Sequence, residues 1–286
     1  MDKYALTVEN LTKIYSDSKN KKENKALNDL NFQVKQGEIF GLLGPNGAGK
    51  TTAIRILCTL LAPTSGEVTV DGIDALIYPR EVRKKLGYLA QEVALDKILT
   101  GRELLDFQGS IYHLNLIDKT KRINELIDLL EMSEWIDRRC GTYSGGMKRR
   151  LDLATCLLHK PEVLILDEPT VGLDIESRSK IWQLLQKLKS EGTTILLSSH
   201  YLEEVDALAD EMVIMENGCV IASGTPRQLK QKLGGYRITL KVREFSDQNE
   251  SEKVRKLLEN ISGIRKVVIN QWQGFSLNLV VDDLDV

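Results

Sequence analysis

The chain has 286 residues, of which 42% are hydrophobic, so it can build one large or two moderate folded domains around a substantial core. Its 39 basic and 41 acidic side chains give a formal net charge of -2, without the basic excess of a typical nucleic-acid binder, so nucleic acid is an unlikely main partner. The longest apolar stretches, such as 54–63 and 163–166, are far shorter than the roughly 20 residues that cross a bilayer. The N-terminus does not resemble a secretory signal, and the four cysteines lack CxxC spacing, so we expect a cytoplasmic protein with buried, reduced thiols.

The first half of the chain predicts strands around one glycine-rich turn, followed by a helical insertion. Apolar and polar residues alternate in the first two strands, and the polar run 16–25 between them predicts an exposed loop. Helical spacing of apolar residues predicts helices in 51–61 and throughout 101–135. The predicted strands of this half lie at 5–15, 30–34, 38–43, 68–70 and 86–90.

The second half alternates predicted helices with apolar strands, which implies a parallel sheet covered on both faces. The helices are predicted at 149–158 and 181–188, and the strands at 163–166 and 194–198. Residues 212–222 form a hairpin that turns at Asn217-Gly218, a strong two-residue turn signal.

The character of the sequence changes near Gly234-Gly235. Beyond it, apolar spacing predicts a strand, an amphipathic helix and two more strands, with inward positions that include Val242 and Phe275. We therefore predict a main domain at 1–234 and a small α+β extension at 235–286.

The clearest motif is a phosphate-binding loop with the pattern GxxxxGK[ST] between a predicted strand and a predicted helix. Its backbone N–H groups and the helix N-terminus can surround phosphates, Lys50 can neutralise the β and γ oxygens, and the Thr51 hydroxyl can bind Mg²⁺. By itself the loop leaves kinases, GTPases, helicases and transport ATPases open. The loop and its flank consist of Gly44, Pro45, Asn46, Gly47, Ala48, Gly49, Lys50, Thr51 and Thr52.

An acidic pair, Asp167-Glu168, follows the apolar strand 163–166. These carboxylates are predicted at the carboxyl end of the sheet, where open α/β folds bind ligands. Asp167 can hold Mg²⁺ through water, and Glu168 can polarise the water that attacks a phosphate. Without the phosphate loop, the same pair is equally consistent with a strand that has a solvated end.

Between these two motifs lies Ser144-Gly145-Gly146, and here the sequence resembles the ABC ATPases, over about residues 4–230. The resemblance implies that this signature supplies a serine hydroxyl and backbone amides to a γ-phosphate. Tyr143 and Met147 stand where Leu and Gln are more usual. This variant, with the basic run Lys148-Arg149-Arg150, looks like the subgroup of drug-resistance and polyketide exporters.

The resemblance also assigns roles to residues outside the three motifs. Tyr15 stands where an aromatic ring stacks on adenine, and Gln91 where a glutamine senses Mg²⁺ and water. His200 stands where an imidazole binds the γ-phosphate, and 172–174 where a loop connects the two sites of a dimer. Catalysis is thus expected from Glu168, His200 and Gln91, with Mg²⁺ at Thr51, Gln91 and Asp167.

The family resemblance implies a P-loop NTPase of the ABC ATPase fold, with an antiparallel β subdomain and a helical signature subdomain at about 92–160. Two chains, as a homodimer or ATPase heterodimer, are expected to enclose two MgATP between them and to open after hydrolysis. Membrane-spanning permease subunits would be separate, placing this chain at the inner face of the cell membrane.

The sequence is also compatible with two alternatives. A non-transport ABC ATPase acting on nucleic acid or the ribosome is disfavoured, because no coiled-coil tract separates Lys50 from Ser144 and the chain has one P-loop. An importer ATPase is the second alternative, and the role of the extension stays open between regulation, dimerisation and a stabilising cap.

Overall fold

A computed structural model describes residues 3–16, 23–92, 95–232, 236–241, 248–261, 263–270 and 276–281. The chain divides into two compact units, Met1–Ser223 and Gly224–Val286. The predicted boundary at 234–235 lies outside the described residues, and the division groups the helix Pro226–Lys232 with the second unit.

The first unit contains the phosphate loop and alternates strands with helices. Its strands are β1 (Tyr4–Ser16), β2 (Glu23–Lys35), β3 (Ile39–Leu43), β4 (Ser65–Val70), β5 (Ile73–Asp74), β6 (Leu86–Leu89), β7 (Val163–Asp167), β8 (Thr194–Ser199), β9 (Glu211–Glu216) and β10 (Cys219–Gly224). Its helices are α1 (Lys50–Leu57), α2 (Pro79–Lys85), α3 (Gly101–Ile111), α4 (Leu116–Leu129), α5 (Gly145–Leu157), α6 (Ile175–Ser190) and α7 (Leu202–Leu208), with a 3-10 turn at Cys140–Thr142.

The central sheet has the strand order β10-β9-β3-β8-β7-β6 among the described residues. β3 pairs in parallel with both β8 and β9, and β7 pairs in parallel with both β6 and β8. Every residue of β3, β7 and β8 is buried, as expected for apolar strands covered on both faces. The parallel register brings Asp167 beside Ser198 and Leu43 beside Ser199, so the ends of these strands meet at one edge. The predicted parallel sheet is confirmed.

A second sheet in this unit is antiparallel, with the order β2-β1-β4-β5. The prediction of a loop at 16–25 was wrong at both ends, because β1 includes Ser16 and β2 already begins at Glu23, with which Ser16 pairs. Backbone hydrogen bonds continue the β1–β2 hairpin past the apolar core into a polar segment. Polar side chains are compatible with this strand pairing, so the polar sequence did not mark the ends of the strands. Residues 17–22 lie outside the described residues.

The helical insertion consists of separate helices rather than one long segment. Helix α3 begins with a capping box, in which Thr100 and Glu103 each bond the other's backbone N–H, and α4 begins at the capping residue Asn115. Helices α5 and α6 start earlier than predicted, at their capping residues Ser144 and Asp174. The apolar spacing used for prediction starts later than these polar first turns, so it missed the true beginnings.

The second unit contains α8 (Pro226–Lys232), β11 (Tyr236–Leu240), α9 (Gln248–Leu258), β12 (Ile264–Asn270) and β13 (Ser276–Val281). Its antiparallel sheet has the order β11-β13-β12, and its buried core is formed by Val267, Leu277, Leu279 and Val281. The predicted order of strand, helix, strand and strand is found, while Val242 and Phe275 lie outside the described residues. Within the described ranges, no helix combines the length and the apolar character needed to cross a bilayer.

Candidate active site

The glycine-rich loop connects the buried strand β3 to α1 and is closed by the lysine that starts the helix. Lys50 Nζ donates to the carbonyl oxygens of Gly44 at 2.7 Å and Pro45 at 3.2 Å. Gly47 and Gly49 have φ angles of 85° and 105°, which side chains with a Cβ rarely adopt. The sequence thus folds into a turn whose amide groups can approach a phosphate closely.

The loop is supported from outside by the hairpin turn between β9 and β10. Gly218 N donates to Ala48 O at 3.0 Å, and Asn28 N donates to Gly218 O at 2.9 Å. Asn217 and Gly218 both have positive φ, 49° and 79°, as the predicted two-residue turn requires. Residues far apart in sequence therefore fix the position of the phosphate loop.

Three side chains that were assigned to the site from the sequence contact the carboxylate of Glu168. Its Oε1 accepts a hydrogen bond from His200 Nδ1 at 3.1 Å and lies 3.6 Å from Lys50 Nζ. Its Oε2 accepts from Gln91 Nε2 at 3.2 Å. Glu168 is only 5% exposed, so this cluster forms a buried polar centre at the edge of the sheet.

The backbone of the acidic pair is held by Ser198 on the neighbouring strand. Glu168 N donates to both the carbonyl and the hydroxyl of Ser198, at 3.2 and 3.1 Å, and Ser198 Oγ donates to Asp167 Oδ1 at 2.5 Å. Glu168 itself has a φ of 49°, a conformation that costs a non-glycine residue on the order of 1–3 kcal/mol. Ser198 was not predicted as a site residue, although its place at the end of an apolar strand was a usable signal.

A cleft of about 670 Å³ lies over this cluster. Tyr15, at the end of β1, is 40% exposed on its rim, and Lys13 Nζ lies 5.4 Å from the ring centroid. The structure thus brings the predicted adenine contact, the phosphate loop and the acidic centre into one cleft. Its lining residues include Tyr15, Asn46, Gly47, Gly49, Lys50, Thr51, Thr52, Gln91 and Glu168.

The signature residues lie on a different surface: of the described residues around this cleft, none belongs to 144–146. Ser144 caps α5, and its Oγ accepts from Met147 N at 3.3 Å. A Cβ on Gly146 would lie 2.6 Å from Ser177 Oγ, so α5 and α6 approach closely at this glycine. Within one chain, the signature and the phosphate loop are therefore separate.

Tyr143, one of the two departures from the commonest signature, is buried and anchors the helical insertion. Its hydroxyl accepts from Gly101 N at 3.2 Å and lies 3.0–3.2 Å from three carbonyl oxygens, those of 135, 136 and 138. Its ring packs edge-on against Trp135. Burial raises the pKa of Tyr143 to about 12, so this phenol is still harder to ionise than an exposed one.

Arg149 is a second residue whose place the sequence did not predict. It is 4% exposed, and its guanidinium donates to the carbonyl oxygens of Ala90, Asp167, Glu168 and Pro169 at 2.6–3.1 Å. In the sequence it is the middle residue of a basic run, a pattern more typical of an exposed face.

Comparison with known proteins identifies the family. A family model described as ABC transporter matches residues 27–171, just over half of the chain. A second model, described as AAA domain, putative AbiEii toxin, Type IV TA system, matches 141–206. Both cover motifs of the cleft or signature described above.

Similar proteins include the daunorubicin resistance ATP-binding protein DrrA2 of Streptomyces coeruleorubidus, 45% identical over 86% of this chain and 75% of that protein. The linearmycin resistance ATP-binding protein LnrL of Bacillus subtilis is 40% identical over 80% of this chain and 72% of its own length. A solved dimeric, post-hydrolysis structure of the ATP-binding cassette MJ0796 with ADP and Pi has a TM-score of 0.70 and 27% identity, over 77% of this chain and 98% of that one.

The fold and the cleft define a P-loop ATPase domain. The chain belongs to the ABC transporter family. The predicted family, ABC ATPase fold and ATP-hydrolysing activity are thus confirmed.

Proposed function

We propose that this chain powers export by binding and hydrolysing MgATP between two copies of itself, beneath separate membrane-spanning subunits. The observation that carries the proposal is the convergence of Lys50, Gln91 and His200 on the Glu168 carboxylate beside the phosphate loop. Each of these groups has a defined task in transferring a phosphoryl group to water.

In the proposed reaction, Tyr15 stacks on the adenine while the loop amides and Lys50 bind the β and γ phosphates. Glu168 accepts a proton from water as the water oxygen attacks the γ phosphorus, and the bond to the β-phosphate oxygen breaks to release ADP. Gln91 orients this water, and His200 contacts the γ-phosphate and holds the Glu168 carboxylate. Burial of the cluster strengthens these electrostatic contacts.

The chemistry of the donor set fits Mg²⁺. Thr51 offers a hydroxyl and Asp167 a buried carboxylate oriented by Ser198, and oxygen ligands of this kind suit the ion. Among the described residues, no three His, Cys, Asp or Glu side chains group into a metal site. When bound, the ion would offset the charge of the phosphate oxygens. Thr51 and Asp167 would hold it, with Gln91 nearby.

The position of the signature supports a dimer. Ser144, Gly145 and Gly146 lie outside the cleft of their own chain, at the N-terminus of a 13-residue helix that can bind an anion. In a dimer this helix end would face the γ-phosphate held by the other chain. ATP would then join two chains, and hydrolysis would replace the bridge with repulsion between products.

Export is proposed from the relatives, which include proteins named for resistance to daunorubicin and to linearmycin. The membrane partner would be a separate permease, and the chain would lie peripherally at the inner membrane face. We further propose the domain division predicted from sequence, in which the extension folds as a small module of its own.

Replacement of Glu168 by Gln tests the reaction. We expect unchanged ATP affinity, strongly slowed phosphate release, and a dimer that forms with ATP and is visible by light scattering. The matched control is Glu162→Gln, just before the first residue of the same strand, where the carboxylate bonds Lys85 and is half exposed. It should hydrolyse ATP at the wild-type rate. Wild-type turnover in Glu168→Gln would remove this residue from the proposed role.

Purification from detergent-solubilised membranes of the producing cell tests the partner. Recovery of a multispanning membrane protein with the tagged chain supports a transporter. Recovery of RNA, DNA or ribosomes in its place would favour the non-transport alternative. Uptake of drug into inverted vesicles that contain the complex separates export from import.

A further inference from the structure

We propose that Arg149, on the signature helix α5, is a positioning residue for hydrolysis. Its guanidinium binds the backbone that carries Glu168 and the backbone just before Gln91, and so holds both segments against this helix. This inference rests on the proposed role of Glu168 as the base. It adds a residue that is not among the described residues lining the cleft and acts through the peptide groups of the site.

The guanidinium lies at the junction of three segments. Nε donates to Pro169 O at 2.8 Å, and Nη2 donates to Asp167 O and Glu168 O, both at 3.1 Å. Nη1 donates to Ala90 O at 2.6 Å. One planar group thus donates hydrogen bonds to the three consecutive carbonyls of residues 167–169 and to the carbonyl of residue 90 in a separate segment.

The chain leaves the sheet at this point, so the carbonyls of residues 168 and 169 depend on donors from outside the strand. Glu168 has a φ of 49°, and the turn that follows is closed by a bond of 3.4 Å from Val171 N to Glu168 O. A buried carbonyl without a partner costs about 1–3 kcal/mol, so the guanidinium favours this turn over other conformations. The direction of the Glu168 side chain is set by the same peptide groups.

The fourth bond makes the contact specific to the reaction. Ala90 directly precedes Gln91, whose side chain donates to Glu168 Oε2 at 3.2 Å. Arg149 therefore fixes both ends of the Gln91 to Glu168 pair through their backbones. A lysine, with one nitrogen, cannot reach carbonyls arranged around a planar fork.

The helix supplies a rigid mount. Arg149 lies five residues after the capping Ser144 in a regular helix, and its carboxylate neighbour Asp152 lies 3.7 Å from Nη1, beyond hydrogen-bond distance. The hydrogen bonds of the guanidinium thus go to main-chain oxygens, while Asp152 adds an ion pair at longer distance. Burying a charge usually costs stability even when the charge is paired. Fold stability alone is therefore a weak reason for an arginine at this position.

Arg150, the next residue, provides a matched control. It donates to Leu130 O at 3.1 Å and Glu131 O at 3.3 Å and lies over the Trp135 ring, at 5.2 Å from its centroid. It binds backbone carbonyls of the helical insertion, away from the acidic pair. A lysine at 150 removes the same chemical group from the same helix without touching Glu168.

The test compares Arg149→Lys, Arg149→Gln and Arg150→Lys, each alone and combined with Glu168→Gln, by ATP affinity, single-turnover hydrolysis and urea unfolding. We expect Arg149→Lys to bind ATP within about twofold of wild type and to lose at least about tenfold in kcat. In the Glu168→Gln background the same change should cause almost no further loss, because the carboxylate it positions is gone. Arg149→Gln, which has one donor nitrogen on a shorter side chain, should lose at least as much kcat as Arg149→Lys.

Several results would overturn the inference while leaving the ATPase function intact. One is a rate loss by Arg149→Lys that is equally large with and without Glu168. Another is a loss no larger than that of Arg150→Lys at equal stability. Failure of both Arg149 variants to fold, while Arg150→Lys folds, would assign Arg149 to the fold alone. The proposed function fails separately if wild-type protein does not hydrolyse ATP or Glu168→Gln retains full turnover.

Discussion

The partly buried carboxylate of Asp152, on the signature helix, should lower the free energy of unfolding by a measurable amount. Burial raises the pKa of this carboxyl from 3.8 to about 6, and Arg149 lowers it by a smaller amount. A rise of about two units, at about 1.4 kcal/mol each, corresponds to about 3 kcal/mol of destabilisation when the group is ionised in the folded state. Asp152→Asn removes the charge while keeping the shape, so it should stabilise the protein by up to this amount at pH 8.

The sign of the pH dependence follows from the raised pKa. The folded state holds the proton more tightly, so the cost is fully present above about pH 6 and disappears as the pH falls toward 3.8. The gain from Asp152→Asn should therefore shrink between pH 8 and pH 5 in parallel urea titrations. At pH 8 we expect a rise in melting temperature on the order of 5–10 °C. A variant less stable than wild type at pH 8 would refute this reasoning and show that attraction to Arg149 outweighs burial.

Three further substitutions test particular contacts. Tyr143→Phe should cost about 1–3 kcal/mol in urea unfolding, because Gly101 N and nearby carbonyls lose the hydroxyl; an unchanged midpoint would contradict its anchoring role. Gly44→Ala should weaken ATP binding in calorimetry, since the new Cβ would lie 2.4 Å from Met215 O and must displace the loop; wild-type affinity would mean the loop adapts freely. Ser144→Ala should lower stability by about 1 kcal/mol through loss of the helix cap, and abolish ATP-dependent dimers; intact dimers would speak against the signature bridge.

Much of the site could be predicted because its motifs determine backbone as well as chemistry. The phosphate loop needs glycines at positive φ, and Gly47 and Gly49 have it. A parallel strand that is apolar along its length and leads into Asp167 and Glu168 places these carboxylates at the carboxyl edge of the sheet, where ligands bind. The residues Lys50, Gln91 and His200 accordingly meet at the Glu168 carboxylate.

The rest depended on contacts between distant segments. Nothing local to the basic run distinguishes Arg149, because its acceptors come from residue 90 and from residues 167–169. Ser198 gains its role from the register with Asp167, which requires strand pairing to be known. The beginnings of α5 and α6 were missed because their first turns are polar and hold capping groups rather than apolar spacing.

The order of strands in the central sheet has a consequence for synthesis. β3, which leads into the phosphate loop, lies between β8 and β9, whose residues follow it by more than 150 positions in the chain. During translation, β3 is therefore made long before the two strands that pair with it. Until then its apolar edges are exposed to chaperones or to aggregation. A ribosome-bound fragment that stops before Glu211 should not capture ATP, however complete its glycine-rich loop.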